Sequence, residues 1–408
     1  MSYDELLQKL SQRRQRMPAY RLTLGGNDIT ARVQGKLMSL TLTDNRGLEA
    51  DQIDITLDDS KGDLDIPSKG VSLQLAIGWE GMALVEKGSF TVDEVSHIGA
   101  PDQITIRARS ANLSAGLRTK RDKSWHKTTL GKIVETIAAR EGLIPAISAA
   151  LKTRAVAHID QTGESDLNLL TRLCKEHGAI ASVKAGRLLV FEAGKASTAS
   201  GEIILPVVIT RADGDSHEYS SSDRDAYSGV KAQWVDARTG KRHDVYAGDE
   251  EDAKLLRHTY ANEADALSAA QAEMSRIQRA TAAFNLTLAI GRPDLYPETP
   301  VIVVGFKPDI DAGAWIATKL VHTMGDSGYT TRLECEVLGA ELEAVNKKTG
   351  GYTGVRAKWI NKKTGKRSSV LAGKEGNVKQ LTHVYVSEKG AKAAAQREWA
   401  KYQSSFEK

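Results

Sequence analysis

Cysteine is almost missing: Cys174 and Cys335 are the two in 408 residues. Two cysteines build no disulfide framework, and both lie in apolar stretches, which reads as buried thiols in a reducing compartment. Long apolar runs are missing too. No window approaches 18 apolar residues, so no membrane-spanning helix is expected. The opening MSYDELLQKLSQRRQRMPAY lacks the apolar core of a secretory leader. Together these point to a chain made and used in a cytoplasm. Aromatics are 5% of residues, too few for platforms on which bases or sugars stack. An excess of one charge is missing as well: the net +4 is too small to argue for nucleic acid. No GxSxG, GxxxxGK[ST], HExxH or post-strand GxGxxG occurs.

Plentiful features are glycine, at 35 residues, and period-two alternation. Residues 1–18 form a basic amphipathic arm, with Leu6, Leu7 and Leu10 on one side and Pro18 as its stop. From 19 to 110, segments such as MSLTLTD, QIDITLDD and QITIRARS alternate apolar and polar residues between Gly- and Asp-rich turns. That pattern predicts an antiparallel sheet rolled into a tube-like barrel. Residues 111–195 read as a small α+β module. One helix carries Leu130, Ile133, Val134, Ile137 and Ala138, capped by Thr128 or Thr129 and ended by Gly142. A second runs from a Ser165 cap through Leu169, Leu170, Leu173 and Cys174 to Gly178. A hairpin turning at Lys184-Ala185-Gly186 follows, then the Gly/Ser/Thr linker 194–202. Residues 203–345 return to alternation, with one helix over 262–280, and read as a second tube-like β domain. The fold class is α+β, mainly antiparallel β.

Three constellations invite chemistry. Cys174 and His177 stand one helical turn apart, but a zinc site needs three or four ligands. The acidic run 213–223 places Glu218 and Arg224 where a calcium loop needs Gly and Glu. The carboxylates of DDSKGDLDIP (58–67) sit in a solvated turn and not across an apolar cleft. No catalytic, cofactor-binding or metal-binding residue is assigned.

The chain does repeat itself. YSGVKAQWVDARTGKR from Tyr227 returns as YTGVRAKWINKKTGKR from Tyr352, at a constant offset through the following helix. The recurring residues Tyr227, Trp234, Gly240, His258 and Tyr260, with Tyr352, Trp359, Gly365, His383 and Tyr385, read as structural anchors. The second copy (352–405) is expected to hold two strands and a helix. Without the strands that follow the first copy, it should pack on the rest of its own chain, on a neighbouring subunit or on another protein to bury its inner face.

The order of parts resembles a known family. The stretch TGESDLNLLTRLCKEHGAIASVKAGRLLVF and the pattern of Trp315, His322, Gly328, Tyr329, Thr331, Leu333 and Glu334 are similar to the late control protein D family. Its members are baseplate hubs of contractile phage tails and phage-tail-like particles, similar in turn to the hub part of type VI secretion spike proteins. The resemblance covers about residues 15–340. It implies a homotrimeric ring in which each chain supplies two tube-like domains, adapting a sixfold tail tube to a trimeric spike. It implies no catalysis and no cofactor. The partners would be the tail spike protein, the tail tube protein, and the tape-measure and other baseplate proteins. DNA would pass the channel without specific binding, and no stable membrane association is implied. The place would be the virion tail baseplate, assembled in the bacterial host cytoplasm. Two other readings stay open. One is a cell-wall hydrolase at the tail tip. The other is a nucleic-acid-binding late regulator using Lys362, Lys363, Lys366 and Arg367.

Overall fold

The computed structural model describes residues 16–110, 115–221, 227–338, 354–360, 367–373 and 378–404. Residues 1–15 of the expected N-terminal arm (1–18) lie outside them, and Pro18, read as its stop, instead opens the strand Pro18–Leu24. The chain separates into two compact units. The first holds residues up to Ser220 with Ala283–Val301 and Ile316–Glu336, and the second holds the rest.

In the first unit, alternation becomes pleat. Strands Leu37–Asn45, Gln52–Asp58 and Gln103–Ser110 bury every second residue: Leu40 and Leu42, Ile53 and Ile55, Ile104 and Ile106. They continue through Val85–Ile98 and Ser72–Trp79 to Pro18–Leu24 as one antiparallel sheet. The buried faces meet in one core with Leu22, Leu75, Ile77 and Phe90. Each such aliphatic side chain contributes about 1.5–3 kcal/mol on leaving water.

The mainly antiparallel α+β class is the one observed, but the division between β regions differs from the one read in the sequence. Strands Ala282–Leu288, Gly328–Val337 and Ala314–Gly325 extend the same sheet beyond Leu37–Asn45. Lys319 pairs with Asn45 and Gly325 with Ser39. Met324 and Tyr329 enter the core built by residues 22–108. Alternation marks where strands lie, but not which distant strand completes each ladder. The strand path ends at Gly214–Ser221 on one side and Asn27–Asp28 on the other, so the described strands close no barrel.

The α+β module has its own core. Helix Leu130–Arg140 starts at Thr129, whose side chain accepts the Lys132 N–H, and buries Leu130, Ile133, Val134 and Ile137. Helix Asp166–Glu176 starts at Ser165, which accepts the Asn168 N–H, and buries Leu169, Leu170, Leu173 and Cys174. The hairpin Ala179–Lys184/Arg187–Glu192 turns with Ala185 at φ +48° and Gly186 at φ +72°, the left-handed pair that a two-residue turn requires. Two further elements give weak sequence signals. Ile144–Ile147 pairs parallel to Arg187–Glu192. The ribbon Lys120–Thr129/Ala155–Ser165 is so charged that Trp125 is the buried residue of its first strand.

The second unit holds both copies of the repeat, and each is a complete layer pair. Strand Gly229–Val235 lies between antiparallel Arg242–Gly248 and parallel Ala253–Tyr260, under helix Glu263–Arg279. Gly354–Ile360, Arg367–Gly373, Val378–Tyr385 and helix Glu388–Ser404 repeat the arrangement. The expectation of two strands and a helix therefore misses one strand per copy. Its period-two signal is broken by a shift opposite Lys231–Gln233, which leaves Leu255 exposed beside half-buried Leu256. Nor does the second copy need another surface for the face that its helix covers. Val355, Ala357 and Ala372 pack against Ala391 and Ala395 of its own helix.

Candidate functional site

The ten repeat anchors fall into several environments. Tyr227, Trp234 and Tyr260 pack half-buried against the core of Val230, Ala232, Ala266 and Ala270. Trp359 and Tyr385 occupy the equivalent places in the second copy. Gly240 holds φ +67° in the hairpin turn, while His258 is exposed with its ring 4.8 Å from that of Tyr260. His383 lies on strand Val378–Tyr385; Tyr352 and Gly365 lie outside the described residues, as do Lys362, Lys363 and Lys366.

Other recurring residues show why the copies stay alike. A Cβ on Gly229 would stand 2.0 Å from the Asp249 carbonyl oxygen, and one on Gly248 would stand 2.4 Å from that of Ser228. Both pairs of backbones need glycine, and the partners Gly354 and Gly373 pair in the same register. The ion pair Lys254–Glu273 at 2.8 Å returns as Lys379–Glu398 at 2.8 Å. The second copy also touches another segment of its unit: Lys358 Nζ donates to Asp309 Oδ1 at 2.9 Å.

The chemical candidates resolve into structural roles. Cys174 and Cys335 are buried and free, and burial pushes each thiol up to about 12. His177 closes its helix as the C-cap. Asp213 caps Thr210 through both its N–H and its hydroxyl. Asp58 accepts from Ser60, and Asp63 from Lys36; these bonds hold both carboxyls below their ordinary value. That is the opposite of what a general acid needs. No group of three or more His, Cys, Asp or Glu side chains among the described residues is placed to hold a metal ion. Among the described residues no helix is long and apolar enough to cross a membrane.

The residues of the family pattern do converge in part. His322 is fully buried, and its Nδ1 lies 3.0 Å from both Tyr329 Oη and Thr331 Oγ1. Desolvation holds this imidazole well below its ordinary value, so it stays neutral. Tyr329 packs 5.1 Å from the Trp79 ring, and Trp79 Nε1 donates to the Gly291 carbonyl at 3.0 Å. In the second unit, Trp315 Nε1 donates to Ile310 O at 3.1 Å. Trp79 and Trp315 thus each hold a backbone carbonyl, while Tyr329 holds His322.

The charged centre of the first unit was not legible from spacing. Arg46 donates to Glu336 at 2.6 and 3.2 Å and to Glu298 at 3.2 Å. Gly194 N–H adds a bond to Glu298 at 3.3 Å. Burial pushes the Glu298 carboxyl up, and the charge of Arg46 draws it part of the way back. Beside it Lys184 joins Asp44 at 2.7 Å and also pairs with Asp51. A cavity of about 440 Å³ lies against these groups, lined also by Phe90, Phe191 and Tyr296. Lys87 enters it, donating to the Leu295 carbonyl at 3.1 Å with Nζ 4.3 Å from the Tyr296 ring centroid. Desolvation lowers this ammonium to about 8. Arg46 with Glu336 and Lys184 with Asp44 are more than 100 positions apart in the chain, so no local motif announces them.

Long-range ion pairs thus tie distant segments of the first unit together. The family described as phage tail baseplate hub (GPD) matches residues 48–328. A probable baseplate hub protein of Escherichia phage 186 is 44% identical over 367 residues, covering 80% of this chain and 94% of that one. Its counterpart in Escherichia phage P2 is 43% identical over 366 residues, covering 80% and 95%. Among solved structures, the 43 kDa tail protein of prophage MuSo2 from Shewanella oneidensis shares the fold. Its TM-score is 0.57 at 16% identity, over 78% of this chain and 98% of that one. A tail protein from Neisseria meningitidis MC58 gives a TM-score of 0.56 at 13% identity, over 79% and 96%. By its match to the family over most of its length and its identity to these two relatives, this chain belongs to the phage tail baseplate hub family.

Proposed function

We propose that three copies of this hub close into a ring that adapts a sixfold tail tube to a trimeric spike, without catalysis. The observation that carries the reading is the sheet. Strands from residues 18–110 and from 282–337 meet side by side through the Leu37–Asn45/Lys319–Gly325 ladder. Each set would form one tube-like lobe, so three chains would present six. The terminal strand Gly214–Ser221 is exposed along nearly its whole length. Such an edge is a template for pairing with a neighbouring chain, and a ring satisfies every edge by closure. The anchors Tyr227, Trp234 and Tyr260, with Trp359 and Tyr385, keep each copy's helix on its sheet, and the second copy braces a subunit boundary. The tail spike, tail tube and tape-measure proteins are the partners of this ring, and DNA passes its channel without specific binding. A wall hydrolase would need a raised carboxyl free to act in an open cleft, whereas the raised Glu298 and Asp51 are bound to Arg46 and Lys184.

Light scattering on the full chain mixed with its spike protein tests the reading. A mass of three chains on one spike trimer is expected. A hub that stays monomeric with spike bound, or that digests purified cell wall, would overturn it.

A further inference from the structure

The ribbon Lys120–Thr129/Ala155–Ser165 carries a constellation that a hub scaffold does not use. His126 and His158 are direct cross-strand partners, which holds their Cβ atoms about 5 Å apart. Their Nδ1 atoms stand 2.9 Å from each other, and both side chains are exposed. The other ring nitrogen of His158, Nε2, lies 3.1 Å from Asp160 Oδ2. Asp160 is held in turn by the Ser124 hydroxyl, which donates to its Oδ1 at 2.6 Å. An ionised carboxylate only accepts, so Nε2 carries the hydrogen and the Nδ1 of His158 keeps a bare lone pair. That carboxylate–histidine arrangement is the support that metal-binding imidazoles have.

We propose that His126 and His158 chelate a divalent transition-metal ion through their two Nδ1 atoms, with water completing its coordination. Metal–nitrogen bonds of about 2.0–2.1 Å to atoms 2.9 Å apart enclose an angle of about 90°. That is a cis pair on a tetragonal or octahedral ion, which favours Cu(II) or Ni(II) over tetrahedral zinc. Calcium and magnesium prefer oxygen and are excluded by the ligand type. In the metal-free chain, His126 Nδ1–H donates to His158 Nδ1. The ion replaces that hydrogen bond once the His126 hydrogen has moved to Nε2. The chelate ties two strands whose register shifts between Gln161 and Glu164, so it fixes the ribbon at its other end.

Calorimetric titration of the tag-free full chain with nickel chloride tests this. One ion per chain is expected, with affinity reduced at least about tenfold in His126→Ala and in His158→Ala. His97→Ala should bind like the wild type. Copper-loaded protein should show hyperfine splitting from two imidazole nitrogens, and from one in either variant. Asp160→Asn should weaken binding without removing it, since Asp160 only orients its neighbour. Absence of stoichiometric binding, or binding that survives the double His126→Ala/His158→Ala change in a protein with unaltered circular dichroism, would overturn the proposal.

Discussion

Replacing Arg46 by Met should destabilise the first unit in a pH-dependent way. The change removes three hydrogen bonds, two to Glu336 and one to Glu298. The Glu336 side chain is 21% exposed and can turn to water, but that of Glu298 is 5% exposed and keeps, among the described residues, the Gly194 N–H. An ion pair broken from one side leaves a buried charge, at about 3–5 kcal/mol. The carboxyl of Glu298 already lies above its ordinary 4.5 in the folded chain. A carboxyl raised on folding contributes stability that is present below the unfolded value and lost as pH rises through the folded one. Without Arg46 the folded value climbs further, so the loss deepens toward pH 8. It should shrink by about 1.4 kcal/mol per pH unit as the carboxyl neutralises, down toward 4.5. Urea unfolding followed by tryptophan fluorescence at pH 5 and pH 8 reads both numbers. The cost should be about 3–5 kcal/mol at pH 8 and under about 2 kcal/mol at pH 5. Adding Glu298→Gln and Glu336→Gln should recover most of the loss at pH 8. Equal costs at the two pH values, or a cost below about 1 kcal/mol at pH 8, would refute the reasoning.

Three further outcomes are expected. Native protein should leave Cys174 and Cys335 unreacted with an aromatic disulfide reagent at pH 8, and urea should release two thiols per chain, because burial holds both near 12. Gly131→Ala should lose about 1–3 kcal/mol despite alanine's better helix propensity, since the new Cβ meets the Lys152 carbonyl oxygen at 2.6 Å; a thermal melt measures it. Removing residues 339–408 should leave amide protection over 229–260 unchanged, because the first copy buries its sheet under its own helix; exchange mass spectrometry reads this directly.

What the sequence disclosed was local. The caps at Thr129 and Ser165, the apolar stripes behind them and the Ala185-Gly186 turn each depend on neighbours within a few positions, and periodicity carries that information. The alternation of Ile53 and Ile55 likewise announced a pleat. Pairing did not show. Nothing near Asn45 indicates that Lys319 will lie opposite, so the second set of strands reads as a separate domain. Strand Ala253–Tyr260 gives no clear signal because a register shift spoils its period. The charged centre was invisible for the same reason as the ladder: Arg46, Glu298 and Glu336 share no motif. His126 and His158 are unremarkable until two strands bring them face to face.

The ladder that unites the two sets of strands also sets a clock. Arg46 and Glu336 are separated by 290 positions. At ribosomal rates of about 5–20 residues per second, strand Leu37–Asn45 emerges roughly 15 to 60 s before its last neighbour exists. During that wait one edge of a largely formed sheet stands open, the arrangement most prone to pairing with the wrong chain. The β-β-β-α repeats close within some fifty residues of contiguous chain and face no such delay. Synthesis, more than the finished particle, is where this architecture is vulnerable, and a host chaperone acting on the nascent hub would act on that edge.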